Sequence, residues 1–371
     1  MIGHLNDNFV LLCSLVMIPM IFFVPVMYIN SYPDSESDNH LTSMITALLC
    51  GIACWIIFGN SESFHFGFSS LSLQSGNPDI TLLSQMCFYL YSIVMFTGTV
   101  LRNASWKFFV GFIPLWTLLV YAPIANLIWS PTGVLYKMGA LDFSGGLVVH
   151  LTAGLTSLIL SVFMRNNRIK LPKDNQLLNY VATLFILTGW LGFNLAPAGV
   201  FSNGGSSIIV NTLVAVIGSV IGWTYSSNLG LSSDAGAVYN GIICGLVAST
   251  ALVAYVSTLS MLIVALVSGI ICHYMCELLS ASDIFHDPVD SFAINGIGGI
   301  VGTLGLILFA SPIVNKDGAI GLLAGGFNFT GVELLTLLTT TLITLLGTLI
   351  SLGIVKAIKE LKVRTGKEEA F

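Results

Sequence analysis

Long apolar runs dominate the chain, and short segments rich in charged residues, Gly, Pro, Asn or Ser separate them. A helix that crosses a bilayer needs about 20 largely apolar residues, and the runs approach or exceed that length. Read against their interruptions, they predict eleven spans, near residues 9–29, 41–59, 80–101, 106–128, 141–163, 177–196, 206–228, 235–256, 259–279, 290–311 and 331–357. Strands of a membrane barrel would instead alternate over about ten residues. The pattern therefore predicts an all-α integral membrane protein.

Composition agrees with this interpretation. The 371 residues are 55% hydrophobic and 8% charged, with a mean hydropathy of +0.90. Soluble domains carry about 25% charged residues, so a water-soluble fold is excluded. We expect one transmembrane domain over 1–357 and a short cytoplasmic tail over 358–371. No Lys or Arg precedes the first apolar run, so we do not expect a cleavable signal peptide.

The distribution of Lys and Arg predicts the orientation of the chain. If the N-terminus lies outside, the inner loops and the tail hold eleven of these residues, and the outer loops hold only Lys137 and Lys316. Cytoplasmic loops carry the excess of positive charge in membrane proteins. The sequence therefore favours an N-out/C-in, multi-pass protein, which we expect in the plasma or inner membrane of the cell.

Spans five and ten resemble each other. Asp142 precedes His150 and the string TAGLTSLIL, and Asp290 precedes Asn295 and the string GIGGIVGTLGLIL. Span ten is the fifth span after span five, and an odd offset means that the two run in opposite directions through the membrane. We therefore predict an inverted five-helix repeat over about 9–163 and 177–311, with an extra helix at 331–357 and a substrate path between the halves.

His150 is the most informative single residue, because it lies in the middle of span five, about 12 Å along a helix from Asp142. An ionisable residue at that depth is a functional-site hypothesis by default. The alternative is that the imidazole ties two helices together. Asp142 also has two interpretations, since its carboxylate can cap the start of the helix and can attract cations to the outer mouth.

No other pattern predicts metal binding or catalysis. The seven cysteines lie in apolar segments, where we interpret them as small hydrophobic residues rather than a disulfide framework. Cys272, His273 and Cys276 are at helical spacing but are an incomplete set for zinc, so helix packing is the preferred interpretation. Zinc-protease, phosphate-loop and hydrolase-elbow motifs are absent from the sequence. We expect neither an enzyme nor a cofactor.

Five segments carry a resemblance to a known family. They are GALDFSGGLVVHLTAGL (139–155), GWLGFNLAPAG (189–199), VNTLVAVIGSVIGW (210–223), NGIICGLVAST (240–250) and DPVDSFAINGIGGIVG (287–302). In order and spacing they resemble the signature segments of the ammonium transporter (Amt/Mep/Rh) superfamily, Amt-type. The resemblance implies a conduit for ammonium and methylammonium, assembled as a homotrimer with one pore in each subunit, and no nucleic-acid partner.

The resemblance also implies roles for individual residues. Trp129 matches the tryptophan that recruits the ammonium ion by a cation-π contact, close to Asp142. Taken alone, Trp129 would be an interfacial anchor. Phe88 and Phe193 match the two stacked rings that close the outer mouth. His150 matches the first of two histidines that line the pore and help to pass the proton.

Three departures distinguish this chain from the family pattern. Asn295 stands where the second pore histidine is expected, and an amide does not take up and release a proton at physiological pH. Pro197 stands where a serine helps to hold the ion, and Ser130 is a candidate to supply that hydroxyl instead. The turn after span three reads Gly98-Thr-Val-Leu-Arg102-Asn103 and lacks the acid that the family carries there.

Two further function hypotheses follow from these departures. One is an ammonium sensor that keeps the outer site and does not conduct. The other is a pore for another small solute, because the mouth and the lumen are both altered. The tail LKVRTGKEEAF is short, so we do not expect control by a regulatory PII protein.

Overall fold

The fold was analysed in a computed structural model, which describes residues 6–30, 37–64, 80–164, 175–200, 202–227 and 235–364. All regular secondary structure in these residues is helical. Fourteen α-helices are α1 (Asp7–Asn30), α2 (Ser37–Cys54), α3 (Asn60–Phe64), α4 (Ile80–Val100), α5 (Trp106–Trp116), α6 (Ala122–Trp129), α7 (Val134–Met138), α8 (Thr152–Phe163), α9 (Gln176–Leu195), α10 (Asn203–Ser226), α11 (Ala235–Ser249), α12 (Thr258–Ala281), α13 (Ile297–Phe309) and α14 (Phe327–Arg364).

Ten helical segments in the described ranges are long and apolar enough to cross a membrane. They coincide with ten of the predicted spans, and the prediction of an all-α integral membrane protein is confirmed. The remaining span, predicted over 235–256, contains the shorter helix α11, which ends at Ser249 and continues as turns. The carbonyl oxygens of Thr250 and Ala251 there accept hydrogen bonds from the N–H groups of Ser144 and Phe143. The chain leaves the helix at this point because these carbonyls bond to another segment.

Two π-helical segments interrupt the spans that carry the predicted pore residues. His150 lies in the π-helix Gly146–Leu151, and Asn295 lies in the π-helix Phe292–Gly296. Insertions of this kind are frequent at functional sites, because the extra residue widens the turn and redirects side chains.

An aspartate caps each of these two segments. Oδ2 of Asp142 accepts hydrogen bonds from the N–H groups of Leu147 (3.0 Å) and Val148 (2.9 Å), and Oδ2 of Asp287 accepts one from Phe292 (3.1 Å). The likeness between spans five and ten in the sequence pairs Asp142 with Asp290. The hydrogen bonds instead identify Asp287 as its counterpart, eight residues before Asn295 as Asp142 is eight residues before His150. The repeat itself and its orientation in the bilayer stay predictions.

Glycines bring the two π-helical segments into contact. A Cβ atom placed on Gly154 would lie 2.3 Å from the backbone N of Gly296, and one placed on Gly299 would lie 2.4 Å from the carbonyl O of Gly146. No residue with a side chain fits these crossings without a shift of the backbone. This is the close packing through small residues that membrane helices use, and it holds His150 beside Asn295.

Candidate functional site

Three aromatic rings meet at one end of a buried pathway. The Phe88 ring on α4 lies 4.4 Å from the Phe193 ring on α9, measured between centroids, with the planes tilted by 55°. Phe88 also contacts the ring of Trp129 at 5.5 Å, edge to face. Phe88 and Phe193 are fully buried, whereas Trp129 is half-buried at the end of α6. The rings therefore form a constriction behind a partly accessible indole.

The indole is held by the segment that precedes His150. Nε1 of Trp129 donates a hydrogen bond of 2.7 Å to the carbonyl O of Asp142. The Asp142 side chain is 5% exposed; its Oδ2 caps the π-helix, and its Oδ1 has no hydrogen-bond partner among the described residues. Burial raises the pKa of Asp142 to about 6, and the backbone N–H groups that face the carboxylate oppose the increase. The structure thus gives the Asp142 carboxylate the capping role, and the Asp142 backbone carbonyl holds the indole of Trp129.

His150 and Asn295 lie in contact beyond the constriction. Nδ1 of His150 is 3.1 Å from Oδ1 of Asn295, and Nδ2 of Asn295 donates to Oγ of Ser291 at 3.4 Å. An amide oxygen only accepts hydrogen bonds, so this arrangement requires the proton of the neutral imidazole on Nδ1. Nε2 of His150 is then a buried lone pair, and no described residue donates to it.

Aromatic side chains enclose the imidazole. Trp190 stacks on His150 at 5.3 Å with an interplanar angle of 13°, and Tyr91 and Phe193 approach it at 6.0 Å. His150 is fully buried in this cage. Sequence reasoning missed Trp190 and Tyr91, although Trp190 lies three residues before Phe193 and therefore faces the same side of α9.

A cavity of about 220 Å³ lies on the far side of Asn295. Its lining combines apolar side chains with Tyr28, Tyr91, Asn179, Tyr239, Asn240, Asp290 and Asn295. The aromatic constriction, His150, Asn295 and the cavity therefore follow one another across the bundle. The residues that the sequence assigned to the outer gate, Phe88 and Phe193, and to the pore, His150 and Asn295, thus lie along one chain of contacts.

Neither Pro197, which stands at the position of the family's serine, nor Ser130, the candidate to supply that hydroxyl, joins this group. Pro197 lies exposed in the short turn Ala196–Ala198. Oγ of Ser130 is buried and bonds to Oγ1 of Thr132 at 2.8 Å, so its hydroxyl is engaged within its own loop. In the turn after α4, Nδ2 of Asn103 donates a hydrogen bond to the carbonyl O of Met164 at the end of α8.

Glu333 is a further buried acid that sequence reasoning did not single out. It lies on α14, is fully buried and accepts a hydrogen bond from the N–H of Leu141, next to Asp142. Its position within a long apolar run was a signal, because a carboxylate inside a membrane span requires a partner.

These features define a multi-pass integral membrane protein with a narrow, aromatic-lined path through its helical bundle. The sequence model of the Ammonium Transporter Family matches residues 8–370, and the chain belongs to that family. The resemblance drawn from the five sequence segments is therefore confirmed.

Relatives and solved structures agree with this assignment. The chain is 30% identical over 330 residues to a putative ammonium transporter of Methanothermobacter thermautotrophicus, covering 84% of this chain and 80% of that protein. It is 29% identical over 383 residues to ammonium transporter Amt1 of Archaeoglobus fulgidus, covering 98% and 95%. In fold it is similar to Saccharomyces cerevisiae Mep2, with a TM-score of 0.84, 23% identity and coverage of 96% and 88%. A sensor Amt protein has the same TM-score, 21% identity and coverage of 95% and 93%.

Proposed function

We propose that this protein transports ammonium and methylammonium across the cell membrane. The observation that carries the proposal is one buried imidazole, that of His150, set behind an aromatic constriction whose outer ring, Trp129, remains partly accessible. A π face attracts a cation and not a neutral solute. A fully buried imidazole with apolar walls favours a neutral molecule such as ammonia over an ion, because an ion would lose its hydration there.

Recruitment takes place at Trp129 in this mechanism. The carbonyl of Asp142 orients the indole, and the Asp142 carboxylate adds negative potential beneath it. Ammonium and methylammonium are compact cations with N–H donors, and both fit a π face backed by an acid. The loop holds Asp142 through backbone hydrogen bonds, so the recruiting geometry exists before the ion arrives.

Selection follows at the constriction of Phe88 and Phe193. An ammonium ion that gives up a proton to water at the outer mouth crosses the apolar lumen as neutral ammonia, which takes up a proton from water again beyond the lumen. K⁺ has no such option and would meet the full cost of losing its water. Nε2 of His150 is the lumen acceptor for an N–H group of the passing molecule. Selection is thus chemical rather than a matter of size.

Asn295 limits what the pore does with the proton. Its amide oxygen accepts from Nδ1 of His150, and an amide has no further proton to relay at neutral pH. We infer that proton transfer along the lumen is slower here than it would be with two imidazoles in contact. The family assignment and the fold are compatible with conduction at either rate.

The broader assembly is part of the same proposal. We expect a homotrimer with one pore in each subunit, oriented N-out/C-in in the plasma or inner membrane, and built from two inverted repeats. The two capped π-helices that carry His150 and Asn295 support the repeat. The end of the predicted tail, 365–371, lies outside the described residues, as do residues 1–5.

The test is uptake of radiolabelled methylammonium by a cell that lacks its own ammonium transporters. Expression of the wild-type chain should support saturable uptake that ammonium inhibits, and His150→Leu should abolish it while the protein still reaches the membrane. Binding of methylammonium without uptake would replace the proposal by the sensor function. Uptake of a different small solute, with neither binding nor uptake of methylammonium, would identify another kind of pore.

A further inference from the structure

The cavity beyond Asn295 contains an acidic side chain in an unusual backbone conformation. Asp290 lines this cavity and has φ = 50°, and it is the only non-glycine residue with positive φ in the described part of the chain. This left-handed region costs conformational energy for a residue with a side chain, although Asp and Asn tolerate it best. An observed outlier of this kind justifies a hypothesis of function.

The carboxylate of Asp290 is not used to hold the fold together. The backbone N–H of Asp290 donates to the carbonyl O of Asp287, and its own carbonyl accepts from Ile294, but no hydrogen bond joins its carboxylate to a described residue. Asp287 differs, because its two carboxylate oxygens bond to Thr99 and to backbone N–H groups. Asp287 therefore serves as the cap, and Asp290 is left to face the cavity.

The remaining lining suits a small cation. It includes the amide residues Asn179, Asn240 and Asn295 and the phenol residues Tyr28 and Tyr239, and it includes no Lys, Arg or His. Oxygen atoms of amides and phenols accept hydrogen bonds from N–H donors. A volume of about 220 Å³ holds an ammonium or methylammonium ion together with several waters, since each water takes about 30 Å³.

The negative charges around the cavity also favour a bound cation. Burial, with contributions from the nearby carboxylates of Asp287 and Glu277, raises the pKa of Asp290 to about 7. A carboxylate surrounded by other acids and shielded from water gains from a bound cation more than an isolated surface acid would. The electrostatic field at this mouth therefore favours a positive ligand.

We propose that Asp290 and the cavity above Asn295 form a second cation site, which binds ammonium or methylammonium at the mouth opposite Trp129. This rests on the proposed transport function, and it gives the path one cation site at each end. Between the two sites lie His150 and Asn295, with Trp190 and Tyr91 around the imidazole. Asn295 lines the cavity and also contacts His150, so a molecule that leaves the lumen reaches this site directly.

The experiment compares the two mouths in membrane vesicles of opposite orientation. A Lys137→Cys variant identifies the preparation in which the Trp129 end faces the bath, because Lys137 is exposed at that end and the seven native cysteines are buried or half-buried. A maleimide reagent that cannot cross the membrane labels this variant only in vesicles whose Trp129 end faces the bath. Entry of radiolabelled methylammonium is then measured from each side at about pH 8, above the pKa of Asp290.

Asp290→Asn is the main variant. Asparagine tolerates the same backbone conformation, so the change removes the charge and leaves the turn in place. We expect the half-saturation concentration for entry from the Asp290 side to rise about fivefold, the effect of one partly solvated charge pair. Entry from the Trp129 side should keep its half-saturation concentration. The matched control is Glu360→Gln, which removes an exposed acid on α14 that is outside the cavity lining and is not among the carboxylates that act on Asp290.

Equal half-saturation concentrations for wild type and Asp290→Asn on the Asp290 side would overturn the proposal, as would an equal change on both sides. If Asp290→Asn does not fold, Asp290→Gly provides the same test, since glycine adopts positive φ without strain. If the wild type shows no entry from either side, the proposed transport function is wrong, and the second cation site is tested separately. Equilibrium binding of methylammonium to the purified protein then decides the second site, which requires two ions bound per chain and one after Asp290→Asn.

Discussion

Nδ1 of His150 lies 3.1 Å from Oδ1 of Asn295, and the amide gives this contact a fixed direction. Two imidazoles in contact exchange donor and acceptor roles when a proton moves between them. The amide oxygen of Asn295 can only accept, so His150 keeps its proton on Nδ1 and presents Nε2 as an acceptor. The lumen therefore holds one basic atom with a fixed orientation, and this sets what the pore can do with a proton.

Restoring a second imidazole should change the proton traffic. We expect Asn295→His to raise the ratio of charge moved to methylammonium taken up, because the pair regains a titratable relay. Currents and radiolabelled uptake are measured on the same proteoliposomes. Asn295→Gln serves as the control, since it keeps an amide at this position. If Asn295→His and wild type give the same ratio, position 295 is not on the path of the proton.

The hydrogen bond from the Trp129 indole to the Asp142 carbonyl leads to a second prediction. Trp129→Phe keeps an aromatic face but removes the N–H donor, and the loss of such a bond costs about 1 kcal/mol. The half-saturation concentration for methylammonium should rise about fivefold or more, with little change in maximal rate. Trp106→Phe is the matched control, because Trp106 is 46% exposed. An unchanged half-saturation concentration in Trp129→Phe would show that the hydrogen bond from the indole to Asp142 does not contribute to recruitment.

Glu333 supports the same loop from α14. Its Oε1 accepts the N–H of Leu141 in a fully buried setting, so Glu333→Leu leaves that N–H without a partner and should lower the free energy of unfolding by about 2 kcal/mol. Glu333→Gln keeps an oxygen acceptor without a buried charge and should remain as stable as wild type. Thermal unfolding in detergent measures both. Equal losses in the two variants would mean that the charge, and not the hydrogen bond, matters.

The sequence predicted the fold class, the approximate spans and the pairing of positions 150 and 295. These depend on strong local signals, namely the length of the apolar runs, a histidine in the middle of span five and a segment pattern shared with a family. Ten spans and the family membership are confirmed. The roles assigned to His150, Asn295, Phe88, Phe193 and Trp129 stay predictions, although the structure brings these residues together along one path.

Features set by three-dimensional contacts could not be predicted in the same way. The sequence offered two acids, Asp287 and Asp290, in one short segment, and composition alone does not say which of them caps the helix. The structure shows that Asp287 is the cap, because its Oδ2 accepts the N–H of Phe292 at the start of the π-helix. Asp287 is eight residues before Asn295, as Asp142 is eight residues before His150. The engagement of Ser130 with Thr132 also depends on the conformation of their loop, which the sequence does not specify.

The raised pKa of Asp142 predicts a pH dependence. Because the pKa in the folded protein is about 6, above the usual 3.8, the folded state binds more protons than the unfolded state between these values. This group's contribution to stability therefore falls as pH rises from about 4 to about 6. Recruitment changes in the opposite sense, since the carboxylate attracts cations only when it is ionised. We expect the half-saturation concentration for methylammonium at the Trp129 side to fall between about pH 5 and pH 7.

Asp142→Asn tests this assignment, because the amide oxygen can still cap the π-helix while the titrating charge is gone. The fall in half-saturation concentration should disappear in this variant. It should persist in Asp317→Asn, which removes an exposed acid from a loop. A pH profile that is identical in wild type and Asp142→Asn would assign the dependence to another group.

The crossing at Gly154 leads to a prediction about packing. A methyl group there would lie 2.3 Å from the backbone N and 2.4 Å from the Cα of Gly296, and neither atom can move without shifting the segment that carries Asn295. Gly154→Ala should therefore lower the free energy of unfolding by about 1–3 kcal/mol and also reduce transport, because Asn295 is displaced from His150. Gly331→Ala is the control, since nothing lies within 4 Å of a Cβ at that position of α14; it should be neutral or slightly stabilising. Wild-type stability and transport in Gly154→Ala would show that the two π-helical segments are not held together by this contact.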